Sequence, residues 1–449
     1  MISSSVVALS DPAATHRVIE AVWRIESARV IAGLARLVHD LGIAEELAQD
    51  ALVAALEQWP ASGVPKNPGA WLMAVGKRRG IDLIRRSERL VHKQALLARD
   101  LETDGAATTA VPSRADASAD DDIGDDLLRL VFTACHPVLS TQARVALTLR
   151  LLGGLSTDEI ARAFLVSEST IAQRIVRAKR TLAEANVPFE VPTGNELAGR
   201  LPSVLEVIYL VFNEGYSATS GDDWMRPELC ADALRLGRIV AELMPAEPEV
   251  QGLVALMEIQ ASRVRARTGP SGEPILLLDQ NRGRWDHVLI RRGLAALARA
   301  ERQGLSRGRY TLQAAIAACH ARAATTQATD WRRIARLYAD LAELTRSPVV
   351  ELNRAVAVSM AEGPAAGLDL VDQLLDEPSL REYHPLPSVR GDLLAKLGRH
   401  AEARTEFERA ASITRNQRER TLLLERARSL PAAPNSRDAG SSTRRLSAS

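Results

Sequence analysis

The sequence has few aromatic residues and few cysteines. Phe, Tyr and Trp together make up 4% of its 449 residues, whereas Ala, Leu and Arg are abundant, a composition that favours helices. Cys135, Cys230 and Cys319 lie far apart and form no CxxC pair, which argues against a disulfide framework and the common zinc motifs. We therefore predict a mainly helical protein of the reducing cytoplasm. Cys135 and His136 are adjacent, but without a second pair we expect them to be core and turn residues.

Several other features are missing from the sequence. It has no run of about 18 apolar residues and no N-terminal stretch that resembles a secretory signal, so we expect neither a membrane span nor export. Its formal net charge is +1 at pH 7, so any binding of nucleic acid must come from local patches. We find no phosphate-binding loop, metal-ligand spacing or nucleophile constellation, and we therefore predict no enzyme activity, catalytic residue, metal or cofactor.

Two local patches of basic residues are present. The first comprises Lys77, Arg78, Arg79, Arg85, Arg86, Arg89 and Lys93, and the second comprises Arg174, Arg177, Lys179 and Arg180. Between them, residues 100–126 hold nine acidic residues against one Arg. A metal site at the aspartates is one interpretation. Because these residues lack a fixed framework, we instead predict a flexible, self-repelling linker over residues 91–126.

Residues 155–182 have the pattern of a helix-turn-helix. Ser156 and Glu159 form a predicted capping box for a short helix, and Ser167 is the predicted N-cap of a second helix that ends near Ala183. The second helix has one apolar stripe, formed by Ile171, Ile175, Ala178 and Leu182. Its opposite face carries groups that can reach phosphates and base edges in a major groove: Ser169, Thr170, Gln173, Arg174, Arg177 and Arg180. A merely solvated arginine-rich face is the simpler alternative.

Three helices are predicted upstream, over residues 15–39, 44–58 and 70–89. The second has an acidic face that is either solvated or a partner site, formed by Glu45, Glu46, Gln49 and Asp50. A rigid Pro- and Gly-rich loop, residues 59–69, leads to the third helix. We expect Ala70, Ala74, Ile81 and Ile84 to form the inward stripe of that helix. Gly76 and Gly80 are unusual there, since each costs about 1 kcal/mol relative to Ala; they either permit a close approach or simply lower stability.

Three motifs follow one another along the chain: EELAQDALVAALEQW, NPGAWLMAVGKRRGIDLIRR and the helix-turn-helix. In their order and spacing, the sequence resembles the extracytoplasmic-function class of bacterial RNA polymerase sigma factors. The resemblance implies an all-α chain with two small helical domains joined by the flexible acidic linker. The first, residues 15–90, would bind core polymerase and the minus-10 promoter element. The second, residues 127–185, would bind the minus-35 element. Residues 1–14 are predicted to be a disordered N-terminus.

The resemblance also implies which residues contact each partner. Core polymerase would be bound through the clamp helices of its β′ subunit and the flap of its β subunit. The clamp helices would be contacted by Glu45, Glu46, Gln49 and Asp50. The minus-10 DNA would be contacted by Lys66, Asn67, Trp71, Lys77, Arg78, Arg79, Arg85 and Arg86. The minus-35 DNA would be contacted by Glu168, Ser169, Thr170, Gln173, Arg174, Arg177 and Arg180.

A third, helical domain is predicted over residues 190–430, followed by a disordered tail over 431–449. Its first predicted helices are 201–214, 227–243, 249–265 and 286–299. Helix pairs follow, 310–323 with 331–345, 349–360 with 365–375, and 387–397 with 401–413, starting roughly 38 residues apart. The last pair resembles a tetratricopeptide repeat, with Leu397, Gly398, Ala403, Phe407 and Ala410 at packing positions.

This part resembles the subgroup of sigma factors that carries a fused, tetratricopeptide-like C-terminal domain, which implies a protein partner on that domain. Two segments, FNEGY (residues 212–216) and LLLDQNRGRWD (residues 276–286), have no assigned chemistry. A polar site is one interpretation of the second segment, formed by Asp279, Asn281, Arg282 and Asp286. Helix caps and loop hydrogen bonds are the more economical one.

The sequence therefore predicts a sigma factor that directs promoter-specific initiation, with a C-terminal domain that either inhibits it or is required for it. A helix-turn-helix regulator with a ligand- or partner-sensing repeat domain is the alternative. Such a regulator would not need the acidic helix, the Pro- and Gly-rich loop and the basic helix upstream. A scaffold built on the repeats alone would leave both basic patches unexplained.

Overall fold

A computed structural model describes residues 12–99, 121–164, 166–218, 225–270, 272–303 and 308–431. Regular secondary structure in these residues is helical, apart from one isolated β-bridge between Thr268 and Pro274. The prediction of an all-α fold is confirmed. The N-terminal segment, the central part of the acidic linker and the C-terminal tail lie outside the described residues, so the predictions of disorder made for them stay predictions.

The chain forms two compact units, which we call the sigma unit and the repeat unit. The sigma unit comprises residues up to 211 and residues 235–243, and the repeat unit comprises residues 212–234 and those from 244 onward. The first nine helices are α1 Pro12–Val38, α2 Leu41–Ser62, α3 Pro68–Arg99, α4 Asp121–Ala134, α5 Thr141–Leu151, α6 Thr157–Phe164, α7 Glu168–Glu184, α8 Gly194–Tyr216 and α9 Pro227–Leu243. The other nine are α10 Pro248–Ala261, α11 His287–Gln303, α12 Arg309–Arg322, α13 Trp331–Thr345, α14 Pro348–Glu362, α15 Pro364–Asp372, α16 Pro385–Lys396, α17 His400–Ile413 and α18 Gln417–Ser429.

Helix α3 packs on α1 and α2 through its glycines. A Cβ atom on Gly76 would lie 2.8 Å from Cδ1 of Leu34, and one on Gly80 would lie 3.1 Å from Cδ2 of Leu37. The predicted inward stripe was wrong: Ala70, Ala74 and Ile81 are exposed and Ile84 is half-buried, whereas Leu72, Gly76 and Gly80 are buried. The glycines thus permit the close approach of α1, and this approach turns α3 away from its apparent apolar stripe.

The end of α2 also differs from the sequence-based boundary. The helix continues to Ser62, past Pro60, and ends at Gly63, which has a φ of 79°. Trp59, predicted to begin an extended loop, is fully buried and contacts Trp71 edge-on, with ring centroids 5.3 Å apart. Burial of this large side chain stabilises the added helical turn, which local sequence alone does not predict.

Both ends of the predicted linker are helical, because α3 continues to Arg99 and α4 begins at Asp121. Asp126 is buried, and its carboxylate accepts a 2.5 Å hydrogen bond from Arg129 and lies 3.3 Å from Nε of Arg36. Because the Asp126 carboxylate pairs with Arg129 and Arg36, it no longer repels the acidic residues next to it in the chain. Helix α4 therefore begins upstream of the predicted boundary at residue 127.

The boundary predicted at residue 190 also differs from the structure, since most of α8 belongs to the sigma unit. The Arg200 guanidinium donates to the carbonyl oxygen of Phe132, and Ser203 donates to that of Cys135, at 2.9 and 2.6 Å. These bonds satisfy carbonyl groups at the end of α4. Helix α8 is therefore part of the packing that supports the helix-turn-helix.

The repeat unit contains the predicted helix pairs. Helices α12, α14 and α16 begin at residues 309, 348 and 385, so they are 39 and 37 residues apart, and each packs on the helix that follows it. In the last pair Ala403, Phe407 and Ala410 are buried. A Cβ atom on Gly391 of α16 would lie 3.0 Å from Cε1 of Phe407. The predicted packing positions in this pair are confirmed at these three residues. They are wrong at Leu397 and Gly398, which are exposed because they form the turn between α16 and α17.

Candidate nucleic-acid and polymerase interfaces

Helices α6 and α7 form through the local hydrogen bonds that the sequence predicts. The Glu159 amide donates to Oγ of Ser156 at 3.1 Å, and the Ser156 amide donates to the Glu159 carboxylate at 2.7 Å. These two bonds are a complete capping box. At α7, the Thr170 amide donates to Oγ of Ser167 at 3.2 Å, as expected for an N-cap.

Helix α7 separates its two faces as predicted. Ile171, Ile175, Ala178 and Leu182 are buried. The predicted DNA-reading side chains are exposed except for Arg174, which is half-buried: Glu168, Ser169, Thr170, Gln173, Arg177 and Arg180. An open groove of about 340 Å³ runs beside them and is lined by Thr170, Gln173, Arg174 and Arg177 on one side and by residues 138–140 on the other. Amide, hydroxyl and guanidinium donors line one wall, as a site for base edges and phosphates requires.

The acidic face of α2 is only partly accessible. Glu46 and Asp50 are exposed and Gln49 is half-buried. Asp50 forms an ion pair of 2.9 Å with Arg79 of α3. Glu45, in contrast, is 6% exposed. The four residues predicted to bind one partner therefore lie in different environments.

Glu45 is buried because two cations from α5 and α7 contact its carboxylate. Nε of Arg150 donates a 2.6 Å hydrogen bond to Oε1, and the Lys179 ammonium pairs with Oε2. Burial alone would raise the pKa of Glu45, but the charges and hydrogen bonds of Lys179 and Arg150 outweigh burial and hold this pKa below its ordinary value of 4.5. Glu45 is therefore ionised at neutral pH. The sequence does not predict this triad, because Glu45 is more than 100 positions from both Arg150 and Lys179.

The residues predicted to bind the minus-10 element lie at and beyond the start of α3. Asn67 caps this helix, since its Oδ1 accepts a 3.0 Å hydrogen bond from the Ala70 amide. Trp71 is half-buried against Trp59. The remaining predicted side chains are all exposed: Lys66, Lys77, Arg78, Arg79, Arg85 and Arg86. Five of these exposed cations lie on α3 and have the chemistry to follow a phosphate backbone, and one of them, Arg79, also pairs with Asp50.

Comparisons with known protein families assign the same two parts of the chain. A model of sigma-70 region 2 matches residues 24–90, and a model of sigma-70 region 4 matches residues 129–182. The extracytoplasmic-function RNA polymerase sigma factor SigK of Mycobacterium bovis (strain BCG / Pasteur 1173P2) is 33% identical over 34% of this chain and 78% of its own length. The chain belongs to the extracytoplasmic-function sigma factor family.

Two further relatives define how far this similarity extends. The probable sigma factor SigI of Mycobacterium tuberculosis (strain CDC 1551 / Oshkosh) is 27% identical over 39% of this chain and 58% of its own length. An uncharacterized protein of Rhizobium meliloti (strain 1021) is 44% identical over 90% of this chain and 94% of its own length. A family of unknown function, DUF6596, matches residues 200–301. No solved structure matches the chain.

Membership of this sigma factor family implies core RNA polymerase and promoter DNA as partners.

In the described residues, no group of three or more His, Cys, Asp or Glu side chains is arranged to hold a metal ion. None of the described helices has both the length and the apolar character of a membrane span. Cys135 is buried with its Sγ 3.3 Å from Oγ1 of Thr148, and His136 lies in the following turn, as predicted for core and turn residues.

The two unassigned segments of this sigma factor meet inside the repeat unit. The Arg263 guanidinium bonds to the Tyr216 hydroxyl and lies 5.8 Å from the ring centroids of both Tyr216 and Trp285. Arg267 stacks on Tyr216 at 3.6 Å, and Arg282 stacks on Trp285 at 4.8 Å. Alternating arginines and aromatic rings thus join FNEGY to LLLDQNRGRWD. The sequence shows both residue types but not their contact.

Hydrogen bonds explain the polar residues of the second segment. Oδ1 of Asn281 accepts from the Gly283 amide at 2.9 Å, and Oδ1 of Asp286 accepts from the Val288 amide at 2.9 Å. Arg282 donates to the Ala323 carbonyl oxygen at 2.8 Å and also to that of His320, beyond and within the end of α12. The prediction of helix caps and loop hydrogen bonds is confirmed for these three residues.

Proposed function

We propose that this sigma factor converts core RNA polymerase into an enzyme that starts transcription at specific promoters, reading each promoter element with a separate part of the sigma unit. The exposed polar face of α7, beside the groove, supports this proposal most directly. Its N-terminal half presents Ser169, Thr170, Gln173 and Arg174, and residues at that end of a recognition helix contact base edges in helix-turn-helix proteins. Arg177 and Arg180, further along, are suited to phosphates or guanine.

The minus-10 element would be bound by the loop before α3 and by α3 itself. Lys66, Asn67 and Trp71 lie around the start of this helix, where an extruded base could be held by an aromatic side chain and a cap residue. Base extrusion costs a few kcal/mol, which pocket contacts and neutralised phosphates can offset. The exposed cations from Lys77 to Arg86 would follow the backbone of the opened strand.

Core polymerase would be bound through the acidic face of α2. We propose that Glu45, Glu46, Gln49 and Asp50 contact the clamp helices of the β′ subunit, with region 4 near the flap of the β subunit. Two of these side chains, Glu46 and Asp50, are exposed, and Glu46 in particular carries the charge for such a contact, since Asp50 also pairs with Arg79. Surface carboxylates speed association with a basic partner and select against acidic ones.

One experiment tests the proposal. Purified core polymerase is supplied with fragmented genomic DNA, with and without this chain, and the 5′ ends of the transcripts are mapped. The proposal expects a new, reproducible set of start sites that share a minus-35 and a minus-10 sequence. A helix-turn-helix regulator would instead change the yield at promoters that another sigma factor already uses, and would add none of its own.

The repeat unit would regulate or support this activity, through a protein partner bound to its helical pairs. Because most of α8 and the second half of α9 belong to the sigma unit, a truncation after Leu243 is a better test than one near residue 190. More transcription from the truncated chain would support inhibition by the repeat unit, and less would support a positive role. The thermal unfolding of the truncated chain provides the control for intact folding.

A further inference from the structure

Three arginines lie together where the two unassigned segments meet. Arg263 and Arg267 follow the end of α10, and Arg282 belongs to the second segment. The guanidinium carbons of Arg263 and Arg282 lie 5.8 and 4.8 Å from the ring centroid of Trp285. Those of Arg263 and Arg267 lie 5.8 and 3.6 Å from the ring centroid of Tyr216. Two aromatic rings thus hold three positive charges close together. We call these five residues the arginine–aromatic cluster.

The charges of this cluster are largely removed from water. Arg263 and Arg267 are each 8% exposed, and Arg282 is half-buried. Burial lowers the pKa of Arg267 and that of Arg282, and repulsion from the charge of Arg263 adds to both effects. Stacking on aromatic rings offsets part of the cost of burying a cation, but it leaves the net charge unchanged.

Neutral groups are the hydrogen-bond partners of two of the arginines. Arg263 donates to the Tyr216 hydroxyl and to the side-chain oxygen of Gln260. Arg282 donates to two backbone carbonyl oxygens and to the Thr329 hydroxyl. Within the described part of the chain, no hydrogen bond or ion pair joins either guanidinium to a carboxylate. Because buried charges in proteins are normally paired, an anion would complement this cluster.

The cluster also contains buried N–H donors that no described protein group accepts. They are Nε of Arg263, Nε of Arg282 and Nε1 of Trp285, which is 4% exposed. Buried donors in native proteins are nearly always paired, so these three indicate a ligand with several acceptor atoms. A buried water can accept hydrogen bonds from such donors, but it cannot balance their charge.

The arrangement of the donors favours one class of anion. A carboxylate is best bound by a fork of two nitrogens on one guanidinium. In Arg263 and Arg282, however, the Nη2 atom beside Nε already donates to protein oxygens. Each side chain therefore offers a single Nε–H, and Trp285 offers a single Nε1–H. Three single donors on three side chains suit a phosphate group, which has three strong acceptor oxygens.

We propose that the arginine–aromatic cluster binds a phosphate group, either as free phosphate or as part of a small phosphorylated metabolite. Arg263 and Arg282 donate through Nε, Trp285 donates through Nε1, and Arg267 adds a third positive charge. Tyr216 and Arg282 are only half-buried, so a small anion enters by movement of side chains at the edge of the cluster. The inference concerns the repeat unit alone and does not depend on how the sigma unit reads promoters.

Titration of the full-length chain with inorganic phosphate tests the site. The pH is slightly alkaline, potassium chloride keeps the ionic strength constant, and calorimetry and the midpoint of thermal unfolding are the two readouts. We expect saturable binding and a rise in the midpoint, because the ligand binds only the folded site. Malonate, a dicarboxylate of similar charge, should bind at least about tenfold more weakly. Equal affinity for the two anions, or binding of neither in a chain purified free of phosphate, would overturn the inference.

Two variants locate the bound phosphate. Trp285→Phe keeps a ring for the guanidiniums and removes only the Nε1–H, which bonds to no described protein group. We expect it to lower phosphate affinity about tenfold, as loss of a hydrogen bond to a charged group does. Arg263→Gln removes both a donor and a charge and should lower affinity further. Arg265→Gln, at an exposed arginine two positions away, is the matched control.

Native affinity in Trp285→Phe would contradict the inference, and this variant decides the matter if Arg263→Gln does not fold. Circular dichroism and the unfolding midpoint without phosphate show whether each variant is folded. A merely structural role of Trp285 would lower that midpoint and leave the phosphate affinity of the folded chain unchanged.

An acid extract of the purified chain distinguishes the two sources of phosphate. Mass spectrometry should find a phosphorylated compound in the extract of the native chain, and none in that of Arg263→Gln, if a metabolite is the ligand. Free phosphate alone, with saturable binding in the titration, would identify inorganic phosphate. Absence of any phosphate from the extract together with no binding of added phosphate would overturn the inference. Each of these results leaves the proposed function intact, because mapping of transcript 5′ ends tests it separately.

Discussion

The Glu45 carboxylate accepts a 2.6 Å hydrogen bond from Nε of Arg150, although the two residues are 105 positions apart and belong to different sigma regions. This contact makes Glu45 different from Glu46 and Asp50, which are exposed on the same helix. A charge change at Glu45 would disturb both the contact between regions and any binding of polymerase. Tests of polymerase binding are therefore clearer at Glu46.

The first prediction concerns recognition of the minus-35 element. Arg174→Ala with Arg177→Ala should lower promoter-specific transcription roughly a hundredfold, since each base-reading arginine contributes about 1–3 kcal/mol. Core affinity should not change. Run-off transcription and a core-binding titration measure the two quantities. Arg332→Ala with Arg336→Ala removes two exposed arginines from α13 and provides the control. Equal run-off yield from the α7 variant would remove the assignment of this face.

The second prediction concerns the acidic face of α2. Glu46→Lys should weaken binding of core polymerase roughly tenfold or more, because it reverses the charge of an exposed carboxylate at the proposed contact. Glu57→Lys is the control, since Glu57 is also exposed and lies about three turns further along the same helix. Fluorescence anisotropy of the labelled chain against core polymerase gives both affinities. If the two variants bind equally, the N-terminal part of α2 does not contact polymerase.

The third prediction separates two kinds of helical glycine. Gly76→Val should lower the free energy of unfolding of the sigma unit by about 1–3 kcal/mol, because the new side chain overlaps buried Leu34. Gly199→Ala in α8 should raise it by about 0.5–1 kcal/mol, because nothing lies within 4 Å of a Cβ atom there and Ala favours the helix. Urea titrations followed by far-UV circular dichroism measure both. A free energy of unfolding that Gly76→Val leaves unchanged or raises would refute the packing role of Gly76.

The sequence predicts the local features of this fold well and its long-range contacts poorly. Helix caps such as Ser156 with Glu159 are formed by residues three positions apart, so the pattern contains the whole interaction. The Glu45 triad and the contact of Gly76 with Leu34 depend on how helices pack, and neither has a local signature. The same reason explains the wrong inward stripe of α3, where a nearby helix decided which face is buried.

The last prediction is a pH dependence of the repeat unit. Burial, with added repulsion from Arg263 and Arg282, lowers the pKa of His320 from 6.5 to about 4. The unfolded chain therefore binds a proton at this residue below about pH 6.5, whereas the folded chain does not until about pH 4. Stability contributed by neutral His320 is full above pH 6.5 and should fall by about 3 kcal/mol as the pH drops to about 4. His320→Phe removes the titration and keeps a ring for the edge-on contact with Trp331. Between pH 7 and pH 4 this variant should therefore lose about 3 kcal/mol less stability than the native chain. Hydrogen exchange of the amides of α12 and α13 measures the difference in stability, and His287→Phe, at an exposed histidine, is the control. Parallel pH profiles of stability for the native chain and His320→Phe would show that His320 does not titrate in this way.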